Sequence, residues 1–174
     1  MSGPPLDEEF LRDFSARWHA AWNSHDAREV IELCTPAVEW HDASFAEPRH
    51  GPGVIEELMA TLARAFPDFR FTETEPAYAS RHRPKAIAPW RFEGTMSGPL
   101  DPPGFAPTGG RVSFHGDDHW DFEGDRVARC EAIYDVNGLA IQIGASPPPG
   151  SAGERIGVAL QRLGARRLRR SAAG

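Results

Sequence analysis

Residues 54–71, VIEELMATLARAFPDFRF, contain the point at which the hydrophobic repeat of this chain changes. Up to Phe66, apolar residues recur at intervals of three and four, which is typical of one buried face of a helix. Pro67 ends that pattern, and Phe69 and Phe71 begin an alternation of period two, which is typical of a strand. The sequence therefore predicts helices before Pro67 and an antiparallel sheet after it, which is an α+β fold.

Three helices are expected in the N-terminal part of the chain. The first spans about residues 7–22, because large aromatic residues recur at every fourth position: Phe10, Phe14, Trp18 and Trp22. A second helix, over 27–33, follows a sequence that resembles a capping box. A short strand over 38–42 comes next, and the third helix follows the Gly-Pro-Gly sequence at 51–53.

We expect four longer strands in the second half of the chain, over residues 69–78, 85–96, 111–122 and 126–136. The last two are joined by a tight turn at Glu123-Gly124-Asp125, which is a hairpin signal. A short apolar element over 139–143 follows them. Because a strongly twisted sheet covered by helices leaves a conical space between the two layers, we expect a ligand pocket there.

The composition fits a single folded domain without a membrane span. The chain has 174 residues, of which 40% are apolar, and this is enough for a buried core. There is no run of eighteen apolar residues, and the N-terminus lacks the cationic start and apolar stretch of a secretion signal. Cys34 and Cys130 fit neither a disulfide framework nor a zinc site. We therefore expect a cytoplasmic protein.

Charge is distributed unevenly along the chain. Residues 151–174 contain six arginines and one glutamate, so this segment carries +5 and the preceding residues −11 of the net charge of −6. A body that acidic disfavours nucleic-acid binding. We divide the chain into an N-terminal extension at 1–7, a domain at 8–144, and a Pro/Gly linker with a basic tail at 145–174. The tail is either an amphipathic helix for an anionic surface or, as we favour, a poorly ordered extension.

Four short stretches are similar to motifs of the SnoaL-like polyketide cyclases, a branch of the nuclear transport factor 2-like superfamily. They are 21–26 (AWNSHD), 94–98 (GTMSG), 107–109 (PTG), and Asp135 followed by 139–144 (LAIQIG). In order and spacing they resemble the link between the family's first two helices, its G-T-H-x-G strand end, its P-T-G segment and its closing D…L-x-x-Q-L-G. One departure is Met96, which stands where the family motif has histidine.

This resemblance implies a cone-shaped α+β barrel, with three helices packed on a curved, mostly antiparallel sheet around a pocket, often as a homodimer. Superfamily members include cyclases, isomerases, dehydratases, epoxide hydrolases and ligand binders, and fold alone does not choose among them. We expect cofactor-free acid–base catalysis, a cyclisation or isomerisation, on an apolar carbonyl or polyketide-like compound. The alternatives are a non-catalytic ligand-binding or dimerisation module, which Met96 favours, and epoxide hydrolysis in the same pocket. No redox cofactor is expected, because phosphate-binding, flavin and nicotinamide fingerprints are missing from the sequence.

Two aspartates are the first candidates for proton transfer. The resemblance places Asp135 at the family's acid/base position, and its alternative role is to cap the turn at Asn137-Gly138. Asp118 lies on a strand face that is otherwise apolar and is therefore predicted to point inward, together with Val112, Phe114, Gly116, Trp120 and Phe122. A carboxyl group there is either catalytic, with its pKa raised by burial, or a hydrogen-bonded structural group.

The opposite face of the same strand carries Ser113, His115, Asp117, His119 and Asp121. Two histidines and two aspartates at this spacing are possible metal ligands. One flat strand face rarely brings ligands together, however, so we interpret this face as solvated and expect no metal. His119 is the alternative acid/base group if the two faces are exchanged.

The predicted pocket walls are aromatic and polar residues from several strands. They are Trp40, His41, Asp42, Trp90, Met96 and Trp120. The tryptophans would stack on an aromatic ligand, or else belong to the core. His41 and Asp42 are neighbours on one strand and point to opposite faces, so either one or the other is expected to reach the pocket rim.

The segment 98–110 is rich in proline and glycine, which predicts an irregular loop. It is either a lid over the cavity mouth, with Phe105 as its plug, or a rigid connection stiffened by its prolines. The expected ligand is a small apolar or aromatic molecule. We expect a homodimer that binds no nucleic acid and does not span a membrane.

Overall fold

The computed structural model describes residues 6–171, with side chains up to residue 165, and this part of the chain forms five helices and a seven-stranded sheet. The helices are α1 (Glu8–Asn23), α2 (Ala27–Glu32), α3 (Gly53–Ala65), α4 (Val136–Gln142) and α5 (Ala152–Ser171). The strands are β1 (Cys34–Asp42), β2 (Arg49–His50), β3 (Arg70–Glu73), β4 (Tyr78–Ala79), β5 (Lys85–Thr95), β6 (Arg111–Glu123) and β7 (Arg126–Tyr134). The predicted α+β fold with three N-terminal helices is confirmed, and two further helices follow the strands.

The sheet has the order β2-β1-β7-β6-β5-β3, with β4 also paired to β5. Its long antiparallel centre is formed by β5, β6 and β7, where Gly116 lies opposite Trp90 on one side and opposite Tyr134 on the other. β1 joins this centre in parallel with β7. Register shifts interrupt the β1–β7 and β6–β7 pairings, and irregularities of this kind bend a sheet and increase its twist.

The helix α1 packs an aromatic face on the sheet. It begins after Asp7, whose carboxylate accepts a hydrogen bond from Phe10 N at 2.7 Å, a normal N-cap. The Phe14 ring meets the Trp120 ring edge-on, with centroids 5.2 Å apart. Buried side chains on β6 confirm the predicted inner face of this strand: Val112, Asp118, Trp120 and Phe122.

Both ends of the chain differ in detail from the sequence predictions. The last long strand ends at Tyr134 rather than at residue 136, and the apolar element that follows lies mostly in α4. Residues 152–171 of the basic tail form the helix α5 instead of the poorly ordered extension that we favoured, and residues 172–174 lie outside the described part of the chain. Of the predicted N-terminal extension, residues 1–5 lie outside the described part of the chain. None of the described helices is long and apolar enough to cross a membrane.

Gly116 is a position where the sheet accepts no side chain. A Cβ atom at this residue would lie 2.4 Å from Trp90 Cη2 and 2.7 Å from the carbonyl oxygen of Ile133. We expect Gly116→Ala to lower the free energy of unfolding by about 1–3 kcal/mol, because the indole ring and the strand must both shift. Urea unfolding followed by circular dichroism measures this loss.

Gly53→Ala is the matched control for this prediction. Gly53 is the first residue of α3, and a Cβ atom there would meet no atom within 4 Å. Alanine also has the higher helix propensity, so this variant is expected to be as stable as the wild type or slightly more stable. Equal losses in the two variants would contradict the steric explanation for Gly116.

Candidate functional site

A cavity of about 450 Å³ lies between the helices and the inner face of the sheet. Its walls come from α1, α3, α4, the strands β1, β3, β5, β6 and β7, and the loop that follows β5. Most of the lining side chains are apolar or aromatic, and a few polar groups converge among them. This size and this character are those of a small-molecule site.

Asp118 is the buried carboxyl group of the cavity. It is only 7% exposed, and Trp18 Nε1 donates a hydrogen bond to its Oδ2 at 2.9 Å. Burial raises the pKa of Asp118 from 3.8 to about 7, although the indole N–H groups of Trp90 and Trp18 lower it. The Trp90 N–H exerts this effect without reaching hydrogen-bond geometry. The negative charges of Asp42 and Asp117 raise the pKa further.

Asp42 and Tyr134 form a second polar pair in the cavity wall. Asp42 ends β1, and its Oδ1 accepts hydrogen bonds from Ser44 N at 2.8 Å and from the Tyr134 hydroxyl at 3.1 Å. Burial raises the pKa of the Tyr134 hydroxyl well above its usual range, and the nearby Asp42 carboxylate acts in the same direction. Tyr134 is therefore a neutral donor that holds Asp42 beside the cavity.

Tryptophan rings form much of the aromatic wall. Trp18 and Trp40 are stacked, with an interplanar angle of 10° and centroids 6.1 Å apart. The indole N–H groups of Trp40 and Trp90 are buried and have no hydrogen-bond partner among the described residues. A buried donor without a partner is unfavourable, so both groups are unusual features of this wall.

The loop 98–110 contributes four lining residues, Leu100, Pro102, Pro103 and Phe105, from its tip. Leu100 and Phe105 bond to each other through their backbones, which closes a tight turn over the cavity. Phe105 is 38% exposed, so it stands between the cavity and solvent. Further lining residues are Val136, Leu139 and Ala140 of α4 and its C-cap residue Ile143.

Asp135, His119 and His41 lie outside this cavity, which corrects the site predicted from sequence. Asp135 is exposed and caps α4, because its Oδ1 accepts a hydrogen bond from Gly138 N at 2.8 Å. His119 lies on the face of β6 opposite to Asp118, since successive residues of a strand point apart. His41 points away from Asp42 for the same reason. Its imidazole contacts Glu39 and lowers the pKa of that carboxyl.

Met96 and Trp120 are buried but do not line the cavity. Met96 Sδ accepts a weak hydrogen bond from Thr108 Oγ1 at 3.9 Å, which ties it to the end of the loop. Trp120 is covered by Phe14 of α1. Of the nine predicted site residues, the cavity brings together four: Trp40, Asp42, Trp90 and Asp118.

Five polar lining residues do not follow from the sequence analysis: Trp18, His19, Ser44, Thr61 and Tyr134. The alternation along β7 places Tyr134 on the same face as the buried Cys130, and this signal would have found it. Trp18 belongs to the aromatic stripe of the predicted first helix, and that pattern does not distinguish a cavity wall from helix packing. His19 lies beside that stripe and had no distinguishing pattern.

Among the described side chains, no group of three or more His, Cys, Asp and Glu residues is arranged to hold a metal ion. The alternating residues on the outer face of β6 therefore form no such group within the described part of the chain.

The family of the chain follows from its sequence match. Residues 15–130, which make up more than half of the chain, match the model of the SnoaL-like domain. The chain therefore belongs to the SnoaL-like domain family. A comparison with curated proteins found no match.

Several solved structures share the fold. TsrD from Streptomyces laurentii has a TM-score of 0.69 and 23% identity, over 80% of this chain and 98% of its own. AclR from Streptomyces galilaeus, a candidate hydroxylase, has a TM-score of 0.69 and 20% identity, over 90% of this chain and 98% of its own. A candidate SnoaL-like polyketide cyclase from Jannaschia sp. CCS1 has a TM-score of 0.67 and 18% identity, over 84% of this chain and 100% of its own. At these identities the likeness shows the nuclear transport factor 2-like fold alone.

Asp118 makes the stability of the protein depend on pH in a defined direction. The pKa of Asp118 is about 7 in the folded state and 3.8 without burial. At a pH between these two pKa values, Asp118 is protonated in the folded state and ionised in the unfolded state. The contribution of this proton to the free energy of unfolding is therefore complete below the unfolded-state pKa and is lost as the pH rises through about 7. Between about pH 5 and pH 8, we expect the wild type to lose on the order of 3 kcal/mol more than Asp118→Asn.

Urea unfolding of the wild type and Asp118→Asn over this pH range measures the difference. Asparagine keeps an oxygen for the Trp18 N–H but does not titrate. Asp125→Asn, in the exposed turn between β6 and β7, is the control and should follow the wild-type pH curve. If the wild-type and Asp118→Asn curves run parallel, the raised pKa is disproved.

Proposed function

We propose that Asp118 moves protons to and from carbon in an apolar carbonyl compound bound in the cavity, in a cyclisation or an isomerisation. The observation that carries this proposal is a carboxyl group buried in an apolar cavity, with its pKa raised to about 7. Such a group is present in both protonation states near neutral pH, which suits both the removal and the return of a proton. Membership of the SnoaL-like domain family and the likeness to a candidate polyketide cyclase support this reaction class.

In the first step, ionised Asp118 removes a proton from the carbon next to the ligand's carbonyl group. The electron pair of the C–H bond forms the double bond of an enolate, whose negative charge lies on the carbonyl oxygen. Trp40 and Trp90 line the cavity and their N–H groups lack partners among the described residues, so in this proposal these two residues donate to this oxygen.

In the second step, protonated Asp118 returns the proton. Delivery to a different carbon of the enolate gives an isomer. In a cyclisation, the enolate carbon instead attacks a second carbonyl of the same molecule, and the new alkoxide takes the proton. The hydrogen bond from Trp18 holds the carboxyl group in one orientation during both steps.

Asp42 and Tyr134 act on Asp118 in this proposal rather than on the ligand's carbon. The Asp42 carboxylate is held by Ser44 and Tyr134, and its negative charge keeps the pKa of Asp118 high. A higher pKa makes ionised Asp118 a stronger base. Asp42 is therefore a positioning and electrostatic residue.

Two further parts of the proposal concern assembly and location. Ile87 and Ile133 are exposed on the outer face of the sheet, at 39% and 46%, which supports a homodimer built on this face. Light scattering after gel filtration measures the mass.

Cys34 and Cys130 are buried and unpaired, which supports a reducing compartment such as the cytoplasm.

Exchange of the α-protons of 1-tetralone in D₂O, followed by NMR, tests the proposed chemistry without knowledge of the natural substrate. We expect the wild type to accelerate exchange over buffer by about 10²-fold or more, as positioned general bases do. Asp118→Asn should exchange at the buffer rate, because an amide is not a base at this pH. The wild-type rate should rise through about pH 7 and level above it, as Asp118 ionises.

Asp135→Asn is the matched control, since it changes an aspartate outside the cavity and keeps a helix-capping side chain. It should retain wild-type exchange, whereas loss of exchange in this variant alone would return the acid/base role to Asp135. If the wild type binds 1-tetralone but does not accelerate exchange, the protein is a non-catalytic binding module. If it does not bind the ketone at all, the proposed ligand class is wrong.

A further inference from the structure

The helix α5 has no part in the proposed function, and it begins at a well-formed cap. Ser151 Oγ accepts a hydrogen bond from Glu154 N at 3.1 Å, and Glu154 Oε2 accepts one from Gly150 N at 2.6 Å. Every residue over 152–164 is exposed. This part of α5 therefore extends from the domain and does not pack its side chains on it.

One side of α5 carries an apolar stripe. Ile156, Leu160 and Leu163 follow the spacing i, i+4 and i+7, which aligns them along one side of a helix. These large aliphatic side chains are 62%, 64% and 55% exposed. A contiguous group of exposed apolar residues on one helix face indicates that another surface covers it.

Two glycines weaken α5 when it stands alone. A Cβ atom at Gly157 or Gly164 would meet no atom within 4 Å, so no close contact with the described part of the chain requires glycine there. Glycine lowers the stability of a helix relative to alanine, and most of the stability of helices in proteins comes from packing of an apolar face. A surface that covers the apolar stripe would therefore stabilise α5.

The charge of this segment restricts the class of its partner. Residues 151–174 carry +5, and five of their six arginines fall within 162–170. Arg155 and Arg162 are seven residues apart and therefore lie on one side of the helix, beside the apolar stripe. A second copy of α5 would bring like charges together, and a nucleic acid would leave the apolar stripe in water. A partner that is both anionic and apolar matches both features.

We propose that α5 binds the surface of an anionic lipid bilayer and lies in the plane of the interface without spanning the membrane. Ile156, Leu160 and Leu163 enter the boundary of the acyl chains, while Arg155 and Arg162 contact headgroup phosphates. A cluster of four to eight basic residues on an amphipathic helix is typical of binding to anionic lipids. At 1.5 Å per residue, the helix offers a contact about 30 Å long. This inference is independent of the proposed function.

Co-sedimentation of the full-length protein with lipid vesicles tests the proposal. One set of vesicles consists of phosphatidylcholine, and the other is phosphatidylcholine with about one third phosphatidylglycerol, an anionic lipid. We expect the partition coefficient to be about 10²-fold higher for the anionic vesicles, because each arginine near such a surface contributes about fivefold. Binding should be largely lost in about 1 M NaCl, where the Debye length falls to about 3 Å.

Two pairs of arginine substitutions test the electrostatic part. The double variant Arg155→Gln with Arg162→Gln should bind the anionic vesicles about 25-fold more weakly. The control is Arg81→Gln with Arg83→Gln, in the exposed segment before β5. It changes the net charge of the chain by the same amount and should bind like the wild type.

Two leucine-sized positions test the apolar part. Leu160→Gln removes the centre of the stripe and should weaken binding about tenfold, because an aliphatic side chain no longer leaves water. Val158→Gln is the control, since Val158 lies on the opposite side of α5 and is itself 43% exposed. It should bind like the wild type. All of the substituted side chains are exposed, and circular dichroism melting checks that each variant folds.

The other outcomes overturn the proposal. Equal binding to both kinds of vesicle, or binding to neither, shows that α5 does not recognise an anionic bilayer. An equal loss in Val158→Gln and Leu160→Gln shows that the apolar stripe has no specific role. If light scattering instead finds an oligomer that Leu160→Gln dissociates, the partner of α5 is a second copy of the chain. Binding of a DNA duplex that depends on the arginines but not on Leu160 would identify a nucleic acid.

Discussion

The hydrogen bond from Trp18 Nε1 to Asp118 Oδ2 joins the helical layer to the sheet across the cavity. It connects residues that are one hundred positions apart in sequence, so it forms only when α1 is seated on β6. Removing either partner would leave a buried polar group without its hydrogen bond, which costs more than the bond itself contributes. The position of α1, the shape of the cavity and the chemistry of Asp118 therefore depend on one contact.

Aromatic packing explains why the cavity remains open beside this contact. Towards one end of β6, Phe14 fills the space above Trp120. Around Asp118 the neighbouring rings instead line the cavity, and the Trp90 ring is held in this position because it packs directly on Gly116. A side chain at Gly116 would force this ring to move. The absence of a side chain at Gly116 is therefore required for the position of Trp90 in the cavity wall as well as for the packing of the sheet.

The features that the sequence predicts correctly are local, and those it misses depend on tertiary structure. The change of period at Pro67 and the alternation on β6 are enough to predict the layers and the inward direction of Asp118. The same alternation correctly places Trp120 on the inner face. It does not predict how far α1 extends over that face, and therefore it does not predict that α1 covers Trp120. Asp135 follows directly after the end of β7, and a short helix begins there and uses its carboxylate as a cap. No pattern within the strand contains that information.

The charge of the cavity wall restricts the class of ligand more than the shape of the cavity does. Among the described residues, neither lysine nor arginine lines the cavity, while Asp42 and Asp118 both do. A cationic partner would have lowered the pKa of Asp118 and made it a weaker base. Indole donors stabilise the ionised carboxyl only in part, and its pKa therefore stays near 7. The same absence of cations disfavours anionic ligands, because desolvating a carboxylate or phosphate beside two acidic groups is unfavourable. In the proposed reaction a neutral carbonyl compound avoids that cost, because negative charge appears on it only in the enolate.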